Sequence, residues 1–509
     1  MIVEDQSEVM VFLENPATWG RSSGEVVRID THGAAVFLVG ERAYKMKRAV
    51  RFPYMDFSTL ERRRAACEAE IVINRRTAPM IYLGVVAVTR EAAGLALDGG
   101  GTPVEWLVVM RRFDQENLFD RMARSGHLRP EHIDALAEEA AAFHDVAERD
   151  FEGGGVGNIA RAIDLNRDGF AAAGGILEPQ AGNDLVAACR HALKKQSGLL
   201  EARRAHGFVR RCHGDLHLRN VCLIENKPTL FDAIEFNDDL AVIDVLYDIA
   251  FLVMDLVRDG RDDLASRALN RYLETSDDYG GLAALPLFLA VRAGVRAQTL
   301  AAAALAQSEP GERGRLSGDA GAALKLAGLF LAPAPARVIA VGGLSGSGKS
   351  TLARALAPLI APPPGAVIVR SDVIRKRLAG TAITAPLPEA AYTPQANAAV
   401  YRTLVDRCAT IAAGGRTAIA DAVFARPAER EEVRATARRA GVEFRGIWLD
   451  AGREKLMARV SARAADASDA GPAVVRRQLA YDVGKIDWRI IDASGPPDAT
   501  LAAARDNLI

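Results

Sequence analysis

Apolar and polar positions alternate in short runs over the first 110 residues. AAVFLVG (34–40) and RAYKMKR (42–48) predict two strands joined by a turn at Gly40–Glu41. GVVAVTR (84–90) and VEWLVVMRR (104–112) predict two more. Between the pairs, ERRRAACEAEIVINRR (61–76) reads as a helix. Ser58, with Glu61 three residues on, has the spacing of a capping box at its start. From about residue 118 the period changes to helical, with Ile133, Leu136, Ala140 and Phe143 on one face. Helical patterns run to about 205 and again from 241 to 330, around a strand–loop–strand island at 208–236. In the last third, RVIAVGG, VIVR, TAIAD and FRGIWLD alternate with helical stretches, the layout of a parallel sheet.

The seam between the two patterns is LAPAPAR (331–337), where alternating Ala and Pro make a stiff, extended spacer. Residues 1–330 therefore form one expected domain, with a small β lobe to about 115 and a helical lobe over 116–330. Residues 331–336 are the linker, and 337–509 the second domain. Length alone, 509 residues, would suggest about three domains. The pattern reduces that to two. An apolar fraction of 49% supports sizeable cores and excludes global disorder. A net charge of −1 argues against a dedicated nucleic-acid binder. Five scattered cysteines, none in a CxxC, fit neither a disulfide framework nor a zinc site. The start, MIVEDQSEVM, lacks the features of a secretory signal. Two apolar stretches, 240–257 and 281–306, are interrupted by Asp244, Asp248 and Asp255 and by Arg292 and Arg296. Neither reads as a membrane span. A soluble, cytoplasmic protein with neither membrane nor nucleic acid as partner is the expectation.

Candidate chemistry appears first in the 208–236 island. HGDLHLRN holds His213, Asp215 and Asn220, and LFDAIEF places Asp232 at the end of an apolar strand. An Asp, an Asn five residues later and a further Asp is the spacing of protein kinase-type phosphoryl transfer. Asp215 would take the proton of an attacking hydroxyl. Asn220 and Asp232 would offer hard oxygen ligands to the Mg²⁺ that bridges ATP phosphates.

Over about residues 25–325 the chain resembles the aminoglycoside phosphotransferase-like family of small-molecule kinases, through the HGDLH-x-x-N signature. The resemblance implies an α+β bilobal, protein kinase-like fold with ATP between its lobes and a small hydroxyl compound as acceptor. It implies Asp215 as catalytic base, Asn220 and Asp232 on the metal, His213 bracing the loop and Asp248 tying it down. It also implies a lysine on the third strand paired with a helix glutamate. Lys45 and Lys47 share a strand face. The resemblance favours Lys45, and for its partner the spacing favours Glu70 over Glu68. The strand turn DTHGAA has a single glycine, Gly33, where a protein kinase carries several. Met110 to Phe113 would form the hinge that meets adenine. His217 divides evenly between a substrate contact and a buried brace, while Cys212 and Cys222 read as packing.

A second candidate site opens the last domain. GLSGSGKS, Gly343 to Ser350, fits G-x-x-x-x-G-K-[ST] between an apolar strand and a helix. Gly343, Ser345, Gly346, Ser347, Gly348, Lys349, Ser350 and Thr351 form the expected phosphate cradle, with Lys349 on the terminal phosphates and Ser350 on Mg²⁺. Asp372 follows the second strand and Asp421 ends the third. Both sit at carboxyl ends of strands, where such sheets bind ligands. Arg459 and Arg463, four apart on a helix, would close over the phosphates and act on transferring charge.

Residues 336–509 resemble P-loop small-molecule kinases related to gluconate kinase and the zeta-type kinases. The resemblance implies an α/β P-loop NTPase fold. It makes Asp372 a candidate base, Asp421 a metal or water-positioning carboxylate, Arg375 a substrate contact, and 490–495 a segment passing adenine. The leading expectation is a two-domain, ATP- and Mg²⁺-dependent phosphotransferase with small-molecule hydroxyl acceptors. The competing readings are one active kinase gated by a regulatory nucleotide-binding domain, and a non-catalytic scaffold.

Overall fold

The computed structural model describes residues 2–506 except 21–24, 53, 384, 463–466 and 470, and omits the side chains of 389 and 390. The early strands build one antiparallel sheet. β1 (Val27–Asp30), β2 (Ala34–Val39) and β3 (Arg42–Lys47) run as a meander. β4 (Arg51–Phe52) and β5 (Met55–Asp56) make a small separate ribbon. β6 (Tyr82–Glu91), β7 (Gly94–Leu97) and β8 (Thr102–Arg111) complete the sheet in the order β1-β2-β3-β8-β6-β7. β1, β7 and the β4–β5 ribbon are additions to the expected set, all of them four residues or fewer.

Period two divides β3 cleanly. Tyr44 and Met46 face a core of Phe37, Val88, Leu107 and Val109, closed by Val9 and Leu13 of the helix Ser7–Glu14. Lys45 and Lys47 point to the other face. There the helix Leu60–Asn74 packs Cys67 and Ile71 against Ile81 and Val108. The cap of this helix is one residue later than expected. Thr59 has the extended backbone of a cap, and its hydroxyl accepts from Arg62 N at 3.3 Å. Ser58 instead donates to Asp56 Oδ1 at 2.5 Å, so its hydroxyl is already engaged.

The 208–236 island enters two short antiparallel ribbons, one of them completed by a strand just beyond it. β9 (Val209–Arg211) pairs with β12 (Val242–Asp244), and β10 (Val221–Ile224) with β11 (Lys227–Leu230). The HGDLHLRN loop spans the gap between β9 and β10.

The last third is a five-stranded parallel sheet. β13 (Arg337–Gly342), β14 (Val367–Arg370), β15 (Ala418–Asp421), β16 (Glu443–Asp450) and β17 (Arg489–Asp492) lie in the order β14-β15-β13-β16-β17. Ile339, Val341, Ile368, Ile419 and Leu449 pack with Leu352 and Leu356 of the helix Lys349–Leu356. Near-continuous apolar runs are what a strand covered on both faces requires.

By internal contacts the chain divides into two compact units. One is Met1–Ile159 with Glu201–Leu252, the other Ala160–Leu200 with Val253–Ile509. The second unit thus groups helices before the 331–336 spacer with the parallel sheet. Among the described residues, one helix, Leu285–Ala306, is long and apolar enough to cross a membrane. It is 67% buried over its apolar window, and Arg296 on it lies 3.2 Å from Asp255.

Candidate functional sites

In the first unit, strand parity and one helix turn bring three charges together. Lys45 Nζ lies 2.9 Å from Glu70 Oε1 and 2.5 Å from Asp232 Oδ1, which is 187 positions away in sequence. Lys47 takes the other oxygen of the same glutamate, at 2.5 Å from Glu70 Oε2, and also pairs with Glu235. The choice between the two lysines therefore resolves as a shared carboxylate. Lys45 is the one that reaches Asp232. Glu68 is exposed and pairs with Arg64 at 2.9 Å, away from this cluster.

Burial alone would lower Lys45, but Asp232 and Glu70 outweigh it and hold its pKa well above the ordinary lysine value. Burial alone would raise Glu70 and Asp232, but the lysines hold both below their ordinary values. The signs fix a pH window. The carboxylates contribute fully above their ordinary values of 4.5 and 3.8, and that contribution is lost as pH falls through the depressed values. Lys45 contributes fully below 10.5 and loses its contribution as pH rises through its raised value. The difference in melting temperature between wild type and Lys45→Met should be flat from about pH 5 to 10 and shrink below about pH 4. A gap that persists unchanged in acid would contradict the assignment.

Asp232 has φ +63°, a left-handed conformation uncommon outside glycine. It is held from both sides. Its amide donates to Tyr82 Oη at 3.1 Å, and the Ala233 amide donates to Asn74 Oδ1 at 2.8 Å. Asn74, Tyr82 and Glu235 join this cluster with no local sequence signal to mark them.

The catalytic-loop candidates meet in the same unit. Asn220 Nδ2 donates to the Asp215 backbone oxygen at 3.0 Å and to its Oδ2 at 3.1 Å. The contacts of His217 are those of the buried brace. It is buried, its Nδ1 accepts from Arg219 N at 3.2 Å, and its Nε2 lies 3.3 Å from Asp215 Oδ2. His213 Nε2 is 3.0 Å from the Phe231 carbonyl, tying the loop to the residue before Asp232. Gly214 is required by its φ of +83° and by the Leu240 carbonyl, 2.8 Å from where a Cβ would sit.

Asp248, on the helix Val245–Arg258, accepts from the amides of His213 at 3.0 Å and Gly214 at 2.9 Å. His144 Nε2 lies 3.1 Å from it. Cys212 joins these two in a group whose ligand-type atoms lie within 4.8 Å of one another. The Asp248 oxygens are already committed to the two amides and the imidazole, so the group reads as an anchor. Asp248→Ala strands two buried amides and is expected to cost about 2–5 kcal/mol in a denaturant titration. A loss below about 1 kcal/mol would show that the loop does not depend on it. All five cysteines are buried, and burial pushes the Cys222 thiol up to about 12.

In the second unit, the P-loop follows β13 as expected. Gly346 has φ +87°, and a Cβ there would meet the Leu456 carbonyl at 2.8 Å. Gly348, at φ +94°, opens the helix Lys349–Leu356. Ser350 Oγ donates to Asp421 Oδ2 at 2.6 Å, joining the two residues expected at the metal. Lys349 Nζ donates to the Leu344 carbonyl at 3.1 Å. Ser347 Oγ is buried without a hydrogen-bond partner among the described residues. Ser345 N donates to Gln478 Oε1 at 2.7 Å, a polar oxygen at one amide of the cradle. An acceptor-starved hydroxyl, glycine-only backbone and a hydroxyl–carboxylate pair fit a magnesium-bound nucleoside triphosphate. Asp232 beside Lys45, together with the hydrogen-bonded Asp215–Asn220 pair, fits the same group in the first unit.

Asp372 sits in the first turn of the helix Ser371–Leu378, just past β14. Arg375 of that helix is buried, donates to the Ala391 carbonyl at 2.7 Å and stacks 4.9 Å from the Tyr392 ring centre. Lys376 is a residue missed from sequence. It is buried, lies 2.5 Å from Asp469 Oδ1 and also meets the Ala385 carbonyl. Tyr392 Oη donates to Asp469 Oδ2 at 3.0 Å. Arg459 donates to the Gly495 carbonyl at 3.1 Å, in the segment expected near adenine. Arg463 lies outside the described residues. Thr351 is exposed on the P-loop helix.

Fold and sites define a chain with two kinase-like parts in series. Residues 85–285 match the family model "Phosphotransferase enzyme family", and 338–482 match "AAA domain". "Uncharacterized protein Rv2004c" of Mycobacterium tuberculosis and "Uncharacterized protein Mb2027c" of Mycobacterium bovis are each 30% identical to it over 494 residues, 93% of this chain and 94% of theirs. The chain belongs to the family of these mycobacterial proteins.

Among solved structures, the amicoumacin kinase hAmiN is 15% identical, with 63% of this chain and 94% of that one covered and a TM-score of 0.39. The Mycobacterium tuberculosis APS kinase CysC is 20% identical, with 35% and 99% covered and a TM-score of 0.26.

Proposed function

We propose that the protein carries two ATP-dependent phosphoryl-transfer sites, each acting on a hydroxyl of a small molecule. In the first unit Asp215 is the base for the acceptor hydroxyl. Asn220 shares its carboxylate through a hydrogen bond and, with Asp232, offers oxygens to Mg²⁺. Lys45, fixed by Glu70, meets the phosphates. Bound Mg·ATP supplies the phosphoryl group and neutralises charge that develops on its oxygens. The observation that carries this reading is the bridge from Glu70 through Lys45 to Asp232. It joins strand, helix and loop at the place where a kinase needs one lysine and one metal carboxylate.

In the second unit the P-loop amides and Lys349 hold the phosphates, and Ser350 with Asp421 holds the metal. Asp372 is the candidate base, and Arg375 and Tyr392 face the acceptor side. Arg459 and Arg463 are the lid candidates, with Arg459 engaged on Gly495.

The test uses the full chain, ATP and a panel of sugars, amino sugars and polyols. Asp215→Asn and Lys349→Ala are assayed separately for phosphorylated product. Two active sites require that each variant lose a different product. One product lost in both variants would favour a single kinase gated by the other nucleotide site. No Mg-dependent transfer in the wild type with any acceptor would favour a scaffold.

A further inference from the structure

β14 is an edge strand of the parallel sheet, and an edge leaves backbone groups unpaired. Here a side chain closes it. The Ile368 amide donates to Asn270 Oδ1 at 2.7 Å, and Asn270 Nδ2 donates to the Ala366 carbonyl at 3.2 Å. Asn270 lies on the helix Asp262–Ser276. That helix falls within the stretch matched by the phosphotransferase family model, yet in the second unit it packs on the P-loop sheet.

The far end of the helix is clamped as well. Arg377 Nη1 donates to the Thr275 carbonyl at 3.1 Å, and its Nε lies 3.0 Å from Asp277. Arg407 also pairs with Asp277. Two arginines at a helix C-terminus suit its partial negative charge. The helix is thus tied to β14 at Asn270 and to the two helices after β14 at its C-terminus.

One turn beyond Asn270 stands Glu274, on the same face. Its Oε1 is 3.6 Å from Arg370 Nη1. Arg370 is the last residue of β14 and lies in register with Asp421 of β15. Arg370 Nε is 3.6 Å from Asp421 Oδ2, the oxygen that accepts the Ser350 hydroxyl. Arg370, Asp421 and Glu274 are all buried. The order is Glu274, Arg370, Asp421, Ser350: a guanidinium between two carboxylates, with the second at the P-loop.

We propose that Glu274 is a positioning residue of the P-loop site, sharing Arg370 so that Asp421 stays available to the divalent cation. The proposal rests on the reading of Asp421 as a metal carboxylate. An arginine keeps its charge at any accessible pH, and in a buried setting it competes with a cation for the carboxylate it faces. It faces both acids at 3.6 Å, and Glu274 also accepts from Arg271 Nη1 at 3.0 Å through its other oxygen. Neutralising Glu274 turns the guanidinium toward Asp421, and the cation must then displace it.

The experiment measures Mn²⁺ binding to the full chain by electron paramagnetic resonance, with a non-hydrolysable ATP analogue present. The signal assigned to the P-loop is the part lost in Lys349→Ala. Glu274→Gln is expected to weaken this Mn²⁺ binding about 10-fold or more, the usual scale for a group behind a metal ligand. The Mg²⁺ concentration for half-maximal Lys349-dependent turnover should rise in parallel. Glu274→Gln/Arg370→Met should recover most of the affinity, because the competitor is gone. Asn270→Ala loosens the same packing without altering charge and should leave Mn²⁺ affinity near wild type.

Unchanged Mn²⁺ affinity in Glu274→Gln, or an equal loss in Asn270→Ala, would overturn the proposal in favour of plain packing. If Glu274→Gln does not fold, Glu274→Asp carries the test. It retracts the charge by one methylene and should weaken Mn²⁺ binding about threefold; no change would count against the idea. A wild-type protein with no Lys349-dependent Mn²⁺ signal would instead overturn the reading of the P-loop site, and the proposal with it.

Discussion

Asp215→Asn is expected to lower kcat for acceptor phosphorylation in the first unit by about 10²–10⁴-fold, the range of general-base catalysis. Its effect on Mg·ATP affinity should be small. The substitution keeps the shape of the side chain and removes only the basic oxygen. Asn220 and His217, which meet Asp215 at 3.1 and 3.3 Å, still have a polar partner. The loop itself is anchored elsewhere, on Asp248 and through His213. A variant that folds, binds nucleotide and fails to transfer separates chemistry from structure. A kcat within about threefold of wild type would remove Asp215 from the base role.

Lys349→Ala is expected to cost about 10²–10³-fold in transfer at the P-loop, the scale for losing one preorganised donor to transferring charge. Nucleotide affinity at that site should fall with it, since the lysine serves ground state and transition state alike. The side chain is half-buried and lies outside the apolar core of the sheet behind it. Melting temperature should therefore stay near wild type while turnover at this site disappears. Lys349-independent turnover at the P-loop, measured with Asp215→Asn in the same chain, would contradict the assignment.

Much of this was legible because local rules were enough. Period two put Lys45 and Lys47 on one face, and the structure uses both, one on each oxygen of Glu70. The P-loop announces itself because phosphate wrapping demands glycines at fixed offsets, and β13 and its helix flank it as expected. The parallel sheet followed from its apolar runs.

What the pattern could not carry is long-range partnership. Glu235 and Asn74 look like ordinary strand-end and helix residues, and their value lies in a loop brought over from the other end of the unit. Glu274 sits in an amphipathic helix with nothing local to mark it. Its importance depends on β14 arriving alongside. The cap shifted from Ser58 to Thr59 because Asp56, two residues before Ser58, had taken its hydroxyl. Arg459 donates to Gly495, 36 positions on, a partner that helix spacing does not reveal.

The central claim is that one chain holds two separate nucleotide sites. Equilibrium titration of the full-length protein with a non-hydrolysable ATP analogue and Mg²⁺ tests it most directly. The expected result is two analogue molecules per wild-type chain, falling to one in Lys45→Met and to one in Lys349→Ala. A wild-type chain that binds one or none, or a variant that still binds two, would contradict the claim.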